Sequence, residues 1–285
     1  MSRQVIHDDG SSNETDRFLA GRKLIERIRS TPDFPVAEAH SINRRSWSDE
    51  ASYRFDRFNI KAETGGIRSF FKNPWIKPEG PLLDIACSTG HNLAYFGKRG
   101  IEPLYGIDIS LPLLKLAKKR LRRAHVQQAD MIALPFRSNY FKTVIARGAL
   151  HNTTTRGFLD ALMEIHRVLR DDGVLYLRRR YRPANGKRYT HFALHTYVGV
   201  DDEGKTNVVR NFLPPMEMWA LLESIGFKLV GDAPMTLIKK RRYPVKAGGE
   251  GAQILERALR GEGVASGDGK KRYSVECICT KKAMS

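Results

Sequence analysis

The sequence predicts an α/β protein built on a doubly wound, mostly parallel sheet. Three observations carry that prediction. Short apolar runs alternate with helical patterns from Leu82 to Tyr176. Glycine-containing turn signals, Gly100 and Asp172-Gly173, punctuate the alternation. The first three strands end on acids, Asp84, Asp108 and Asp130, which is where a ligand meets such a sheet.

The elements follow in order. Residues 1–16 are polar, with Gly and Ser, and are expected to form a disordered tail. Residues 17–30 have Leu24, Ile25 and Ile28 on one side and predict a basic amphipathic helix ended by Pro32 and Pro35. A second helical pattern runs from Trp47 to Thr64, with Ala51, Phe55 and Phe58 recurring, and Gly65-Gly66 close it. A short helix over 67–71 leads to Pro74 and Pro78. The core then reads as strand 82–84, helix 91–99, strand 104–107, a helix capped by Ser110, strand 125–129, strand 142–146, helix 158–169 and a strand from Val174. Beyond Pro183 the pattern loosens. A strand is expected over 189–200, a polar turn over 201–205, a helix over 216–225, and a closing antiparallel pair over 227–230 and 273–280. Residues 246–270 read as an exposed mobile insertion around a short helix at 252–259.

Composition limits the function classes. The 285 residues contain 41% hydrophobic residues, enough for a large core, but no apolar run long enough to span a bilayer. The first residues lack an apolar signal core and carry acids, so a cytoplasmic, soluble location is expected. Three cysteines without a CxxC give no disulfide framework and no zinc signature; no metal is expected. The formal net charge of +18 points to an anionic partner, nucleic acid first, then an anionic membrane surface or a phosphorylated small molecule.

The segment LLDIACSTG, residues 82–90, is the most telling. A strand stops on Asp84 and enters a loop of small residues, Ala86, Cys87, Ser88 and Gly90, where the backbone can approach a ligand closely. The amides that start the next helix favour a carboxylate. Asp108, followed by Ile109, ends the second strand at the place for ribose hydroxyls. Asp130 and Met131 end the third, where the acid can accept from an adenine amino group and the thioether can pack on the ring. A nicotinamide fingerprint needs further glycines that the loop lacks, and no Walker lysine is present. The expected ligand therefore carries a ribose, an adenine and a charged amino-acid-like tail.

Residues 82 to about 181 resemble the class I S-adenosylmethionine-dependent methyltransferases. LLDIACSTG corresponds to the first motif, YGIDIS to the ribose-binding acid, QQADMIALPF to the adenine segment and RVLRDDGVLYL to the turn into strand five. The resemblance implies a Rossmann-like, seven-stranded sheet with a closing antiparallel strand, and S-adenosylmethionine as co-substrate. It implies cofactor contacts at Asp84, Ala86, Cys87, Ser88, Gly90, Asp108, Ile109, Asp130, Met131 and Arg147. Two departures stand out: Ala86 and Ser88 occupy positions that are glycine in the motif, and Lys142 replaces an acid before strand four.

The acceptor is read from the residues after the fourth strand. No Asp/Asn-Pro-Pro-aromatic motif and no nucleophilic cysteine lie there, which argues against base-amine and cytosine C5 chemistry. Arg147 is expected to orient the cofactor tail or an anionic acceptor, and His151 to serve as base or hydrogen-bond partner. Arg180 and Arg182, in the run RRRYR, are candidate acceptor contacts, and Lys239–Arg242 and Lys281-Lys282 extend the basic run. Partial similarity to the tRNA wobble-uridine methyltransferases, with His151-Asn152 in place of a His-His pair, makes RNA the leading acceptor expectation. The alternatives are a small metabolite, or a non-catalytic binding protein whose loop Ala86 and Ser88 have closed. The domain reading is a tail over 1–16, an N-terminal helical lid over 17–78 with Tyr53 and Phe55 on the cofactor, a cofactor core over 79–182 and an acceptor-shaping segment over 183–285.

Overall fold

The computed structural model describes residues 2–6, 13–48, 67, 77–182, 189–200, 205–230, 235–241 and 271–281. Its strands are β1 (Ser2–Ile6), β2 (Leu82–Ile85), β3 (Leu104–Asp108), β4 (His125–Gln128), β5 (Phe141–Arg147), β6 (Leu169–Arg180), β7 (Tyr189–Ala193), β8 (Thr196–Val200), β9 (Thr206–Asn211), β10 (Phe227–Leu229), β11 (Met235–Arg241) and β12 (Lys271–Lys281). The helices are α1 (Glu14–Ser30), α2 (Val36–Ser48), α3 (His91–Gly97), α4 (Leu111–Arg120), α5 (Thr155–Val168) and α6 (Pro215–Ile225).

The main sheet runs β1-β11-β12-β6-β5-β2-β3-β4, and β10 pairs with β12. Its centre, β4-β3-β2-β5-β6, is parallel. β12 closes it antiparallel to β6. The chain moves outward from β2 through β3 to β4, then returns to add β5 and β6 on the other side. That reversal opens a crevice at the carboxyl ends of β2 and β5, where doubly wound sheets bind ligands.

All four residues of β2 are buried, because helices cover both faces of the parallel centre. Side chains alternate between the two faces. Leu83, Val144, Leu175 and Leu177 pack under α5, with α1 and α6 on the same side. Leu82, Ile145, Val174 and Tyr176 pack with Leu93 and Phe96 of α3 and Leu114 and Ala117 of α4. α1 is tied to α6 by Arg17, whose Nε lies 3.0 Å from Glu223 Oε2. A separate sheet, β7-β8-β9, is antiparallel throughout. Among the described residues no helix is long and apolar enough to cross a membrane.

The doubly wound sheet with an antiparallel closing strand is as expected, but it has nine strands rather than seven. β1 lies within the stretch expected to be a disordered tail; it is the sheet's edge strand and its partner is the remote strand β11, so local composition carries no trace of it. The strand expected over 189–200 is a hairpin, turned at Leu194 and His195. The two prolines that end α1 also hide the start of α2: Pro35 provides the carbonyl that accepts from Ala39 N, the helix-initiating use of proline. Of the helix expected over 47–64, Trp47 and Ser48 form the end of α2, and the rest, with Tyr53, Phe55 and Phe58, lies outside the described residues, as does the insertion over 246–270.

Candidate active site

The loop after β2 keeps the shape of a glycine-rich turn without its glycines. Ala86 has φ +56° and Ser88 φ +52°, both left-handed, and Gly90 follows at φ +79°. A left-handed conformation costs a side-chain-bearing residue about 1–2 kcal/mol, so the surrounding packing must hold it. Gly90 has no such latitude: a Cβ there would lie 2.4 Å from Leu121 Cδ1. Asp84 is buried at the end of β2, and Asn92 of α3 donates to its two oxygens at 3.3 and 3.2 Å.

Cys87 requires a correction to the expected contact set. Its thiol is buried in the core, in the space left by the absent side chain of Gly106, where a Cβ would meet Sγ at 2.8 Å. Burial, then the charges of Asp84 and Asp108, pushes its pKa well up. Only its backbone remains for a ligand, and that already donates to Ile107 O and accepts from Gly90 N.

Asp108 binds the two loops together. Its Oδ2 accepts from Ser88 N at 2.9 Å and its Oδ1 from Ser110 N at 2.8 Å. Burial raises its pKa, opposed by the amides of Ser110, Ser88 and Ile109. A carboxylate offers about four acceptor positions, so three amides leave room for one hydroxyl rather than two. The Ile109 carbonyl accepts from Gln128 Nε2 at 2.9 Å. Ser110 occupies the cap position of α4 but does not cap it; its hydroxyl donates to Trp47 O at 3.3 Å, tying the end of α2 to the loop after β3.

Asp130 follows β4, and Met131 beside it packs against the core. One oxygen of Asp130 accepts from Ile132 N, and the other lies 2.5 Å from His40 Nδ1. The second ring nitrogen of His40 lies 2.6 Å from Thr153 Oγ1. Burial would raise the Asp130 pKa, but the bond and charge of His40 hold it below the usual carboxylate range. Sequence reasoning missed His40. Asn43, one turn further along α2, exchanges two hydrogen bonds with the backbone of Val209, as a neighbouring strand would, and so fixes α2 onto β9.

Beyond β5 and β6 the chemistry changes sign. Arg147 ends β5 in register with Arg178. Arg178 lies 3.7 Å from Glu276. Arg179 is 1% exposed and points to the opposite face, over the ring of Phe158 at 4.3 Å. Its guanidinium donates to Asn211 O at 3.0 Å and to Asn211 Oδ1. Asn211 is itself anchored on Leu150 O and Thr153 O. His151 is 4% exposed; burial, then the charges of Arg210, Arg180 and Arg179, drives its pKa well below the ordinary histidine value. Arg180 and Arg182 are half-buried at the end of β6. Lys281, expected in a basic surface run, is instead buried, bonded to Leu169 O and Asn139 and paired with Asp171 at 3.0 Å. Lys142 pairs with Asp172 at 2.7 Å.

Residues 83–177 match the family model described as a methyltransferase domain. That segment is a methyltransferase domain, and the fold around it is that of S-adenosylmethionine-dependent methyltransferases. The chain is 25% identical over 231 residues to a demethylmenaquinone methyltransferase of Lactobacillus johnsonii, covering 73% of this chain and 91% of that one. It is 30% identical over 117 residues to a 2-phytyl-1,4-naphtoquinone methyltransferase of Nostoc punctiforme, covering 38% and 50%. Its fold is similar to that of the Burkholderia thailandensis 1,6-didemethyltoxoflavin-N1-methyltransferase, solved with 1,6-didemethyltoxoflavin and S-adenosylhomocysteine, with a TM-score of 0.55 and 15% identity over 89% of this chain and 93% of that one.

The residues present fit S-adenosylmethionine, the co-substrate of the family. The loop after β2 has left-handed turns at Ala86 and Ser88, and Asp84 and Asp108 stand at the carboxyl ends of adjacent strands.

Proposed function

We propose that this protein transfers a methyl group from S-adenosylmethionine to a small-molecule acceptor held beyond the carboxyl ends of β5 and β6. The observation that carries the reading is the pair Asp84 and Asp108 on adjacent strand ends, joined by the Ser88–Asp108 bond across a loop that keeps its left-handed turns. When bound, S-adenosylmethionine supplies an electrophilic methyl group. The residues have to orient it, exclude water and present an acceptor in line. In this reading Asp84, with Asn92, faces the amino-acid tail, Asp108 takes one ribose hydroxyl, and Met131 with Asp130 borders the adenine. Ala86, Ser88, Gly90 and Ile109 line the approach through their backbones, and Arg147 stands between cofactor and acceptor.

The acceptor reading shifts from RNA to a small molecule. Relatives named for quinone and naphthoquinone methylation support that class. So does burial: at the acceptor end Arg178 is 9% exposed and Arg210 8%. Phosphates of a nucleic acid need cations at the surface; buried ones serve a ligand that enters. The exposed basic face, Lys115, Lys118 and Lys119 of α4, lies on the opposite side of the sheet from α5. His151 acts as a hydrogen-bond partner rather than a base, because burial and three arginines oppose the imidazolium that a base becomes.

The test is incubation with methyl-labelled S-adenosylmethionine and either a small-molecule extract or total RNA. Label is expected in the small-molecule fraction; label in RNA overturns the acceptor class. Calorimetric binding of S-adenosylhomocysteine is expected, and its absence overturns the enzymatic reading in favour of a binding protein.

A further inference from the structure

At the acceptor end Arg179 is a buried cation with no counter-charge among the described residues. Among the described residues no carboxylate pairs with Arg179, although it is 1% exposed. Two of its donors are spent on Asn211 and Nε on Arg180 O at 3.2 Å, but Nη1 has no partner. Burial draws its pKa down to about 9, with only the Cys277 thiol acting in the other direction. His151 adds a second orphan: its Nδ1 is buried and unbonded. Buried polar groups are paired in the great majority of cases, and a lone buried charge costs several kcal/mol. Two such groups on neighbouring segments, both linked to Asn211, require a third party.

The hydrogen bonds around them rule out idle disorder. Asn211 holds Arg179 through its carbonyl and side-chain oxygens, while its amide nitrogen is fixed on Leu150 O and Thr153 O. The backbone amide of Asn211 donates to His151 O at 3.2 Å. The face of Phe158 supports the guanidinium from one side. The orphan donors are thus held by a rigid frame, and Arg180 and Arg210 add positive potential at the same ring.

We propose that Arg179 and His151 form an anion subsite that anchors a carboxylate group of the small-molecule acceptor. A planar carboxylate suits the arrangement: one oxygen accepts from Nη1 of the guanidinium, the other from a neutral imidazole N–H, a charge-assisted pair. The group is an anchor and takes no part in bond making. The inference rests on the methyltransferase reading only for what the carboxylate is attached to; the subsite itself is independent of it.

The experiment uses the full chain saturated with S-adenosylhomocysteine, at constant ionic strength with a bulky background anion. Sodium formate, small enough to need no match of shape, is titrated and thermal unfolding is followed, with formamide as the uncharged counterpart. Formate is expected to raise Tm by a few degrees along a saturating curve, as ligand linkage requires, and formamide to leave it flat. Arg179→Met abolishes the response; Arg179→Lys, which keeps charge but lacks the fork, weakens it at least tenfold; Lys119→Met, on the exposed face of α4, leaves it unchanged. A linear, non-saturating response in the wild type, or an equal response in Arg179→Lys, overturns the subsite. Saturating formate binding without S-adenosylhomocysteine binding would sink the cofactor reading and keep the subsite; the reverse outcome sinks the subsite alone.

Discussion

The cofactor edge and the acceptor edge of one sheet are built on opposite electrostatic plans. At the ends of β2, β3 and β4 stand acids satisfied by the chain's own donors: Asn92 on Asp84, backbone amides on Asp108, His40 on Asp130. At the ends of β5 and β6 stand cations, and one of them, Arg179, keeps a buried donor, Nη1, without an acceptor among the described residues. The first edge is complete in its polar network and can hold an invariant ligand. The second leaves Arg179 Nη1 and His151 Nδ1 open, which is what the proposed anion subsite uses. A single fold thereby separates what is common to its family from what is particular to one acceptor.

His40 is where the two edges meet, and breaking it should have the largest effect. Its ring joins Asp130 on the cofactor side to Thr153 on the acceptor side. His40→Ala removes a bond to a carboxylate and one to a hydroxyl, and leaves buried Thr153 unsatisfied. The expected loss is about 2–3 kcal/mol, read by urea unfolding. If the loss stays under about 0.5 kcal/mol, the edges are coupled by packing alone and the contrast between them loses its hinge.

How much of this was legible in the sequence obeys the same division. Asp84, Asp108 and Asp130 declare themselves because each ends a strand within a repeating local pattern, and their places are set by contacts within about one βαβ unit. His40 and Asn43 do not, because their partners, Asp130, Thr153 and Val209, are remote in sequence. The prolines before α2 signalled an ending and concealed a beginning. Arg179 sat within an arginine run in which alternation buries every second side chain on another face, and only the packing of Phe158 and Asn211 distinguishes it from Arg180. The strands β1 and β11 escaped notice for the same reason: their hydrogen bonds go to each other and to β12, far along the chain.

The acceptor edge should also leave a mark on acid stability. The unfolded chain protonates the His151 ring near 6.5, the folded protein only well below that. Between those values the unfolded state binds more protons, so stability rises with pH there and falls on acidification below about 6.5. The slope is at most about 1.4 kcal/mol per pH unit. His166, held low by burial and then by Lys281, adds to the same trend, while depressed Asp130 loses its contribution only on falling below the carboxylate range. The informative quantity is the difference between wild type and His151→Gln, in which shared groups cancel. The variant should show the shallower loss between pH 7 and 5; parallel curves would mean that the ring takes up its proton as readily in the folded protein as in the unfolded chain, and that the cationic surroundings do not oppose it.

The smallest effect tests whether the cofactor edge is strained. Ser88 holds φ +52° and yet donates its amide to Asp108. Ser88→Gly relieves about 1–2 kcal/mol of left-handed strain and adds about 0.4–1 kcal/mol of unfolded-state entropy. The net gain is then between about 0 and 1.6 kcal/mol, a Tm rise of at most roughly 2–4 °C per kcal/mol by the usual scaling for a chain of this size. Affinity for S-adenosylhomocysteine should hold or tighten, since the amide keeps its aim and the crevice loses a side chain. A fall in stability would mean that the Ser88 side chain contributes contacts outweighing its backbone cost, and that the loop is built around serine rather than tolerating it.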